Sequence, residues 1–72
     1  MDKKDIRKYI REHPDIPSRL SDAARSDIIR MHYIEGHKYE YIARALHYSV
    51  ENIYVIHRKA IKEILSIIES EV

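Results

Sequence analysis

Apolar residues return every three or four positions in four separate stretches of the chain, which is the period of an amphipathic α-helix. The predicted helices cover residues 2–12, 22–35, 39–46 and 50–69. In chain order, their inward-facing stripes are Ile6, Tyr9 and Ile10; Ala24, Ile28, Met31 and Ile34; Tyr39, Ile42, Ala43 and Leu46; and Ile53, Ile56, Ala60, Ile61, Ile64, Leu65 and Ile68. Glycine occurs once and proline twice in 72 residues. The sequence therefore predicts an all-α fold with four helices, the last one long.

Residues that favour helix ends fall between the four stretches. The predicted N-caps are Asp2 for the first helix, Ser18 or Ser21 for the second, and Ser49 for the fourth. Pro14 and Pro17 end the first helix, because each proline disfavours helical backbone in the residue before it. Gly36 follows the second helix, where a left-handed residue commonly closes the last turn. The connections are short, so residues 1–72 are predicted to form a single domain.

Only three residues, His47, Tyr48 and Ser49, join the third helix to the fourth. Two helices with such a short turn form a helix-turn-helix, in which the first helix braces against the DNA backbone and the second enters the major groove. The small side chain of Ala43 lets the two helices cross closely. Tyr48 and Ile53 are predicted to fill the corner between them.

The segment YIEGHKYEYIARALHYSVENIYVIHRKAIKEI, residues 33–64, resembles the C-terminal, promoter-reading helix-turn-helix of bacterial sigma-70-type factors (region 4) and small phage regulators built on that domain. The motifs that carry the resemblance are Tyr-Ile-Glu-Gly at 33–36, the Tyr39, Ile42, Ala43 and Leu46 brace, Ser49, and the run of Glu51, Ile53, Ile56, Lys59 and Ala60. The resemblance covers residues 20–65. Residues 1–17 form an N-terminal helix and loop before it, and residues 61–72 form a tail that could mediate dimerisation.

The resemblance implies a recognition helix that begins at Ser49. Its base-contacting positions would be Val50, Glu51, Tyr54 and Val55, and Asn52 is a further candidate for a base contact. A Glu can accept a hydrogen bond from a cytosine amino group, and an Asn can pair with adenine. The phosphate-contacting positions would be Lys38 and Arg44, followed by Arg58, Lys59 and Lys62 in the recognition helix. The implied function is that of a DNA-binding transcription regulator.

Several of these positions differ from the family pattern. Val50, Asn52, Tyr54 and Val55 stand where the family commonly has Arg, Lys or Gln, and His47 stands where it commonly has Gly, so His47 is left-handed or the turn differs. The apolar members could contact a thymine methyl group or form a protein-binding patch. Glu51 could be a first-turn acid favoured by the helix dipole, Asn52 could cap its own helix, and the cations at 58–62 could belong to a solvated face.

Charge is distributed unevenly along the chain, although the net charge is only +1. All thirteen Lys and Arg lie in residues 1–62 together with nine acids, which gives +4, whereas residues 63–72 contain three Glu and no base, which gives −3. Duplex DNA is therefore the expected partner of the basic part. The alternative is a protein-interaction module on the same fold, for which the resemblance suggests RNA polymerase or a sigma factor as the partner.

An apolar stripe continues to the end of the fourth helix. Ile61, Ile64, Leu65 and Ile68 form the predicted seam of a homodimer, which Ile6 and Ile10 could join. A dimer would double the few DNA contacts, and it would help a chain this short to bury a sufficient core. The alternative is that the two ends of the chain pack together within one molecule.

Enzymatic activity, metal binding and a membrane span are not expected. The sequence has no Ser/His/Asp set, paired carboxylates or Gly-rich phosphate-binding loop, no cysteine, and no histidines with i, i+4 spacing. We therefore expect neither a metal nor another cofactor. The charged N-terminus lacks the apolar stretch of a signal peptide, and no run of about 18 apolar residues occurs. These features predict a cytoplasmic protein.

Overall fold

Four α-helices account for most of the computed structural model, which describes residues 3–71 and the side chains of residues 5–71. They are α1 (Lys3–Glu12), α2 (Ala23–Ile29), α3 (Tyr39–Leu46) and α4 (Val50–Ser70). A 3-10 turn at Ile16–Arg19 follows α1, and a π-helical turn at Arg30–Ile34 extends α2. The predicted all-α class is confirmed, and none of the described helices is long and apolar enough to cross a bilayer. The predicted cap Asp2 lies outside the described residues.

The N-terminus of α2 is capped by a carboxylate. Oδ1 of Asp22 accepts hydrogen bonds from the backbone amides of Ala24 (2.7 Å) and Arg25 (3.4 Å). The prediction that Ser18 or Ser21 caps this helix is therefore wrong. Asp is as good an N-cap as Ser, and its negative charge also suits the positive end of the helix dipole.

The end of α2 widens into a π turn, and this changes which residues face inward. The Glu35 amide donates to the carbonyl of Arg30, five positions back, at 3.0 Å. A π turn holds an extra residue and shifts the register of the side chains that follow. Ile34, predicted to face inward, is therefore 40% exposed, whereas Tyr33 packs against the core. Gly36 closes the turn at φ +80°, which confirms the predicted left-handed residue.

Two clusters of buried side chains form the core. The terminal core joins α1, the 3-10 turn, the end of α2 and the second half of α4 through Ile6, Ile10, Ile16, Leu20, Ile29, Ala60 and Ile64. The helix-turn-helix core lies beneath α3 and the first half of α4 and contains Ile28, Met31, Ile42, Ala43 and Ile53. The adjacent residues Ile28 and Ile29 belong to different clusters, so α2 connects the two.

The predicted homodimer seam lies against the terminal core. Ile64 is completely buried within the chain, so its assignment to an interface between chains is wrong. Ile6 and Ile10, the further candidates, are buried in the same cluster. The remaining seam residues are half-buried against it: Ile61, Leu65 and Ile68. The two ends of the chain pack together because both helices carry apolar stripes of helical period, which is the alternative that the sequence left open.

Candidate nucleic-acid interface

A left-handed histidine makes the turn between α3 and α4. His47 has φ 62° and ψ 41°, and its amide donates to the carbonyl of Arg44 (3.4 Å), while the Tyr48 amide donates to the carbonyl of Ala43 (2.9 Å). These two bonds form a Schellman motif that satisfies the last carbonyls of α3. The Tyr48 side chain is 40% exposed, so the prediction that it fills the corner is wrong, whereas Ile53 is completely buried as predicted.

The first turn of α4 is held by its predicted cap. Ser49 Oγ accepts a hydrogen bond from the Asn52 backbone amide at 3.1 Å. The Asn52 side chain is exposed, and it forms no hydrogen bond with any residue that the structure describes. Val50 is half-buried against the helix-turn-helix core. Of the predicted base-contacting residues at the helix start, Asn52 is thus accessible and Val50 mainly packs.

The outward face of α4 is formed by side chains spaced three or four residues apart. Its centre, opposite the buried Ile53 and Ala60, consists of Glu51, Val55, Arg58 and Lys62, all of which are exposed. Asn52 and Lys59 flank this row on one side and Tyr54 on the other. Tyr54 is 47% and Val55 is 43% exposed, which is high for apolar side chains. The predicted recognition helix therefore presents most of its assigned residues to solvent.

The cations of the predicted phosphate-contacting set are exposed, and none of them forms an ion pair with a carboxylate that the structure describes. These cations are Lys38, Arg44, Arg58, Lys59 and Lys62. Elsewhere three arginines are paired with carboxylates: Arg25 with Glu63 at 2.9 Å, Arg19 with Glu71, and Arg30 with Asp27 and Glu35. Residues 38–62 contain these five cations and two acids, Glu40 and Glu51, so the helix-turn-helix carries uncompensated positive charge.

The acidic end of the chain is tied to the other side of the molecule. Glu63 accepts hydrogen bonds from the backbone amide of Ser21 (2.8 Å) and from Arg25 (2.9 Å). Partial burial acts to raise the pKa of Glu63, but the hydrogen bonds from Arg25 and Ser21 outweigh it, so the pKa is lowered. The hydrogen bond from Arg19 is the main cause of the lowered pKa of Glu71. These carboxylates therefore stabilise the fold and do not neutralise the outward face of α4.

A group of aromatic rings that the sequence pattern did not predict lies beside the recognition helix. This aromatic cluster consists of His32, Tyr33, Tyr39, Tyr54 and His57. The rings of His32 and Tyr39 stack with centroids 4.2 Å apart, and Tyr54 meets Tyr39 edge-on at 5.0 Å. The i, i+3 spacing of Tyr54 and His57 could have indicated that these two rings share one face of α4. The inward position of His32 and Tyr33 could not be inferred from the sequence, because it depends on the π turn.

Comparisons with known proteins do not identify a family or a function for this chain. No protein-family model, no curated protein and no solved structure shows a significant match to this chain. The resemblance to region 4 of sigma-70-type factors stays a prediction from sequence motifs. The function is therefore inferred from the geometry and charge of the site.

Proposed function

We propose that this chain is a DNA-binding transcription regulator that inserts the start of α4 into the major groove of duplex DNA. The observation that carries the proposal is the exposed face of α4, which follows a three-residue turn and is surrounded by cations that form no ion pair with a carboxylate in the described part of the chain. The major groove is about 12 Å wide and admits one α-helix. The brace α3 lies against α4 through the helix-turn-helix core, so the two helices would approach the duplex as one rigid unit.

Within this proposal, cations and groove-facing residues have different roles. Lys38 at the start of α3 and Arg44 on its exposed side would contact phosphates, as would Arg58, Lys59 and Lys62 on α4. Phosphate contacts provide affinity and orientation, whereas base contacts provide specificity. Glu51 and Asn52 are the exposed polar groups available for base edges, and Val55 is placed to contact a thymine methyl group.

The test is duplex DNA binding measured over a range of salt concentrations. Five phosphate contacts would release about five counterions, so log K should fall against log salt with a slope of about −4.5. The double variant Arg58→Ala, Lys59→Ala should weaken binding about tenfold or more and should make the slope shallower by about 2. Gel retardation or fluorescence anisotropy with a duplex library measures both quantities.

A matched control removes the same charge elsewhere. In the double variant Lys8→Ala, Arg30→Ala, both lost cations already contact carboxylates on the surface, Lys8 at 4.0 Å from Glu12 and Arg30 at 3.1 Å from Asp27. This control should retain the wild-type slope. The proposal is rejected by the absence of duplex binding at low salt, and equally by the same loss in both double variants.

A second candidate function has its own supporting observation. Tyr54 and Val55, at two base-reading positions, are large exposed apolar side chains, and Tyr41 on α3 is 52% exposed. Exposed apolar groups favour a protein partner. By the sequence resemblance, that partner would be RNA polymerase or a sigma factor. Copurification of polymerase by the wild-type chain but not by a Tyr54→Ala, Val55→Ser variant, without duplex binding, would favour this function. A homodimer through Ile61, Leu65 and Ile68 and a cytoplasmic location stay predictions.

A further inference from the structure

A cleft of about 320 Å³ opens where α1, the π turn, α3 and α4 meet. Ile6 and Ile61 form its apolar part, and four rings of the aromatic cluster, all except that of Tyr54, line its walls. Arg7 of α1 lies at its edge. Ligand pockets commonly have volumes of about 300–1,000 Å³ and are mostly apolar with a few placed polar groups. This cleft matches the lower end of that range.

The rings around the cleft are held in place by hydrogen bonds. The Tyr33 hydroxyl and Nε2 of His57 share a hydrogen bond of 2.7 Å, and Nδ1 of His32 donates to the backbone carbonyl of His37 at 2.9 Å. The Tyr39 hydroxyl lies 3.4 Å from the same His57 nitrogen, at the limit of hydrogen bonding. Its proton can therefore turn towards a ligand. The walls thus offer fixed aromatic surfaces and one available hydroxyl donor.

The charge at the cleft is positive. Arg7 is exposed and forms no ion pair with any of residues 5–71, and none of the described residues that line the cleft carries a carboxylate. Its guanidinium lies near enough to Tyr33 and Tyr39 to act on the pKa of both. Burial raises the pKa of Tyr33 to about 12, so this hydroxyl stays protonated at neutral pH and adds no negative charge. An anion with a planar acid group would find a two-pronged donor in Arg7.

We propose that the cleft binds a small aromatic carboxylate, with its ring against the aromatic walls and its carboxylate on Arg7. Flat rings stack favourably on Tyr and His side chains, and one carboxylate matches the single guanidinium. A nucleic acid strand is a poorer fit, because strand binding uses a row of cations along one groove. Among the described residues only Arg7 brings a cation to this cleft, whereas Arg11 and Lys38 line one adjoining depression and Arg58 and Lys62 line another. The site lies beside the outward face of α4, and its occupancy does not depend on DNA binding.

Isotope-edited NMR titration of the full chain, without DNA, tests this proposal. The probe is indole-3-acetate; indole supplies the ring without the charge, and acetate supplies the charge without the ring. At about 0.3 kcal/mol per non-hydrogen atom, indole-3-acetate should bind with a Kd of about 1 mM or lower. Indole should bind at least about fivefold more weakly, and acetate should not saturate. The largest amide shifts should occur at residues 6–7, 32–33, 39, 57 and 61.

Arg7→Met keeps an unbranched side chain that favours helix and removes the guanidinium with its charge. It should weaken indole-3-acetate binding about tenfold and leave indole binding unchanged, because a charged hydrogen bond is lost only for the acid. Lys8→Met, on the same helix but outside the lining of the cleft, is the matched control and should bind as the wild type. Three results overturn the proposal: no saturation by indole-3-acetate, equal effects of the two variants, or shifts confined to the outward face of α4.

Discussion

The two halves of α4 belong to one continuous helix and have opposite surroundings. Residues 60–70 lie against α1 and the 3-10 turn, with Ala60 and Ile64 completely buried and Glu63 paired with Arg25. Residues 50–59 cover the helix-turn-helix core on one side only. Their other side exposes Tyr54 and Val55 together with cations that lack carboxylate partners among the described residues.

The difference shows that the amphipathic period alone does not distinguish residues that stabilise the fold from residues that are available for function. Both halves repeat apolar residues every three or four positions, so both predict a buried stripe. In the second half, the carboxylate of Glu63 as well as the apolar stripe finds a partner within the chain. In the first half, the outward-facing charges Glu51, Arg58 and Lys59 form no ion pair with the described residues. The unpartnered polar face is the one on which a ligand can act, and substitutions should have different consequences in the two halves.

The largest expected difference concerns stability. Ile64→Ala removes a completely buried side chain from the terminal core and should lower the free energy of unfolding by about 2–5 kcal/mol. Val55→Ala, in the other half, should change it by less than about 0.5 kcal/mol, because its side chain is already exposed. Urea denaturation followed by circular dichroism measures both. Comparable losses in the two variants would contradict the contrast between the halves.

The ion pair of the second half should give a pH-dependent effect of intermediate size. Because the folded pKa of Glu63 is lowered, its carboxylate stabilises the fold above the unfolded pKa of about 4.3, and this contribution is lost as the pH falls through the folded pKa. Glu63→Gln should therefore cost about 1 kcal/mol at pH 7 and progressively less below about pH 4.

The matched control for this experiment is Glu69→Gln, since Glu69 is exposed and has no ion pair with the described residues. It should leave the free energy of unfolding at pH 7 unchanged within about 0.5 kcal/mol. Thermal unfolding at several pH values provides the measurement. A constant difference between wild type and Glu63→Gln down to pH 3 would show that the Glu63 charge does not contribute.

The smallest effect is expected at the entrance to the first half. His47 holds a left-handed backbone conformation, which costs a residue with a Cβ about 1 kcal/mol more than glycine. His47→Gly should therefore raise the free energy of unfolding by about 0.5–1 kcal/mol and the Tm by a few degrees. His47→Ala retains the Cβ and should not stabilise. Equal stabilisation by both variants would place the cost in the imidazole instead of the backbone.

Local rules predicted the helices and several of their ends. The stripe spacing located all four helices, and the Ser49 cap and the left-handed Gly36 follow from residues that lie next to one another in sequence. Two predictions at helix ends were wrong, because neighbouring residues could have filled the same structural role. Asp22 caps α2 in place of the predicted serines, and the Tyr48 backbone closes the turn after α3 while its side chain is 40% exposed.

Features that depend on contacts between distant residues could not be predicted from the local sequence pattern. The π turn that buries Tyr33 and exposes Ile34 has no sequence signature here. The pairing of Glu63 with Arg25 joins residues 38 positions apart, so a tail that looks like a free acidic segment is in fact anchored. For the candidate site, the outward residues of α4 followed from its period. The aromatic cluster did not, because three helical segments must meet to form it.

The adjacent placement of Ile28 and Ile29 in α2 has a mechanical consequence. Each side chain inserts into a different cluster, so a displacement of α2 would disturb the packing of both. Loosening of either cluster therefore removes part of the packing that holds α2 against the other. The chain should therefore melt as one cooperative unit, and the surface offered by α4 should persist only while α1 remains docked at the far end.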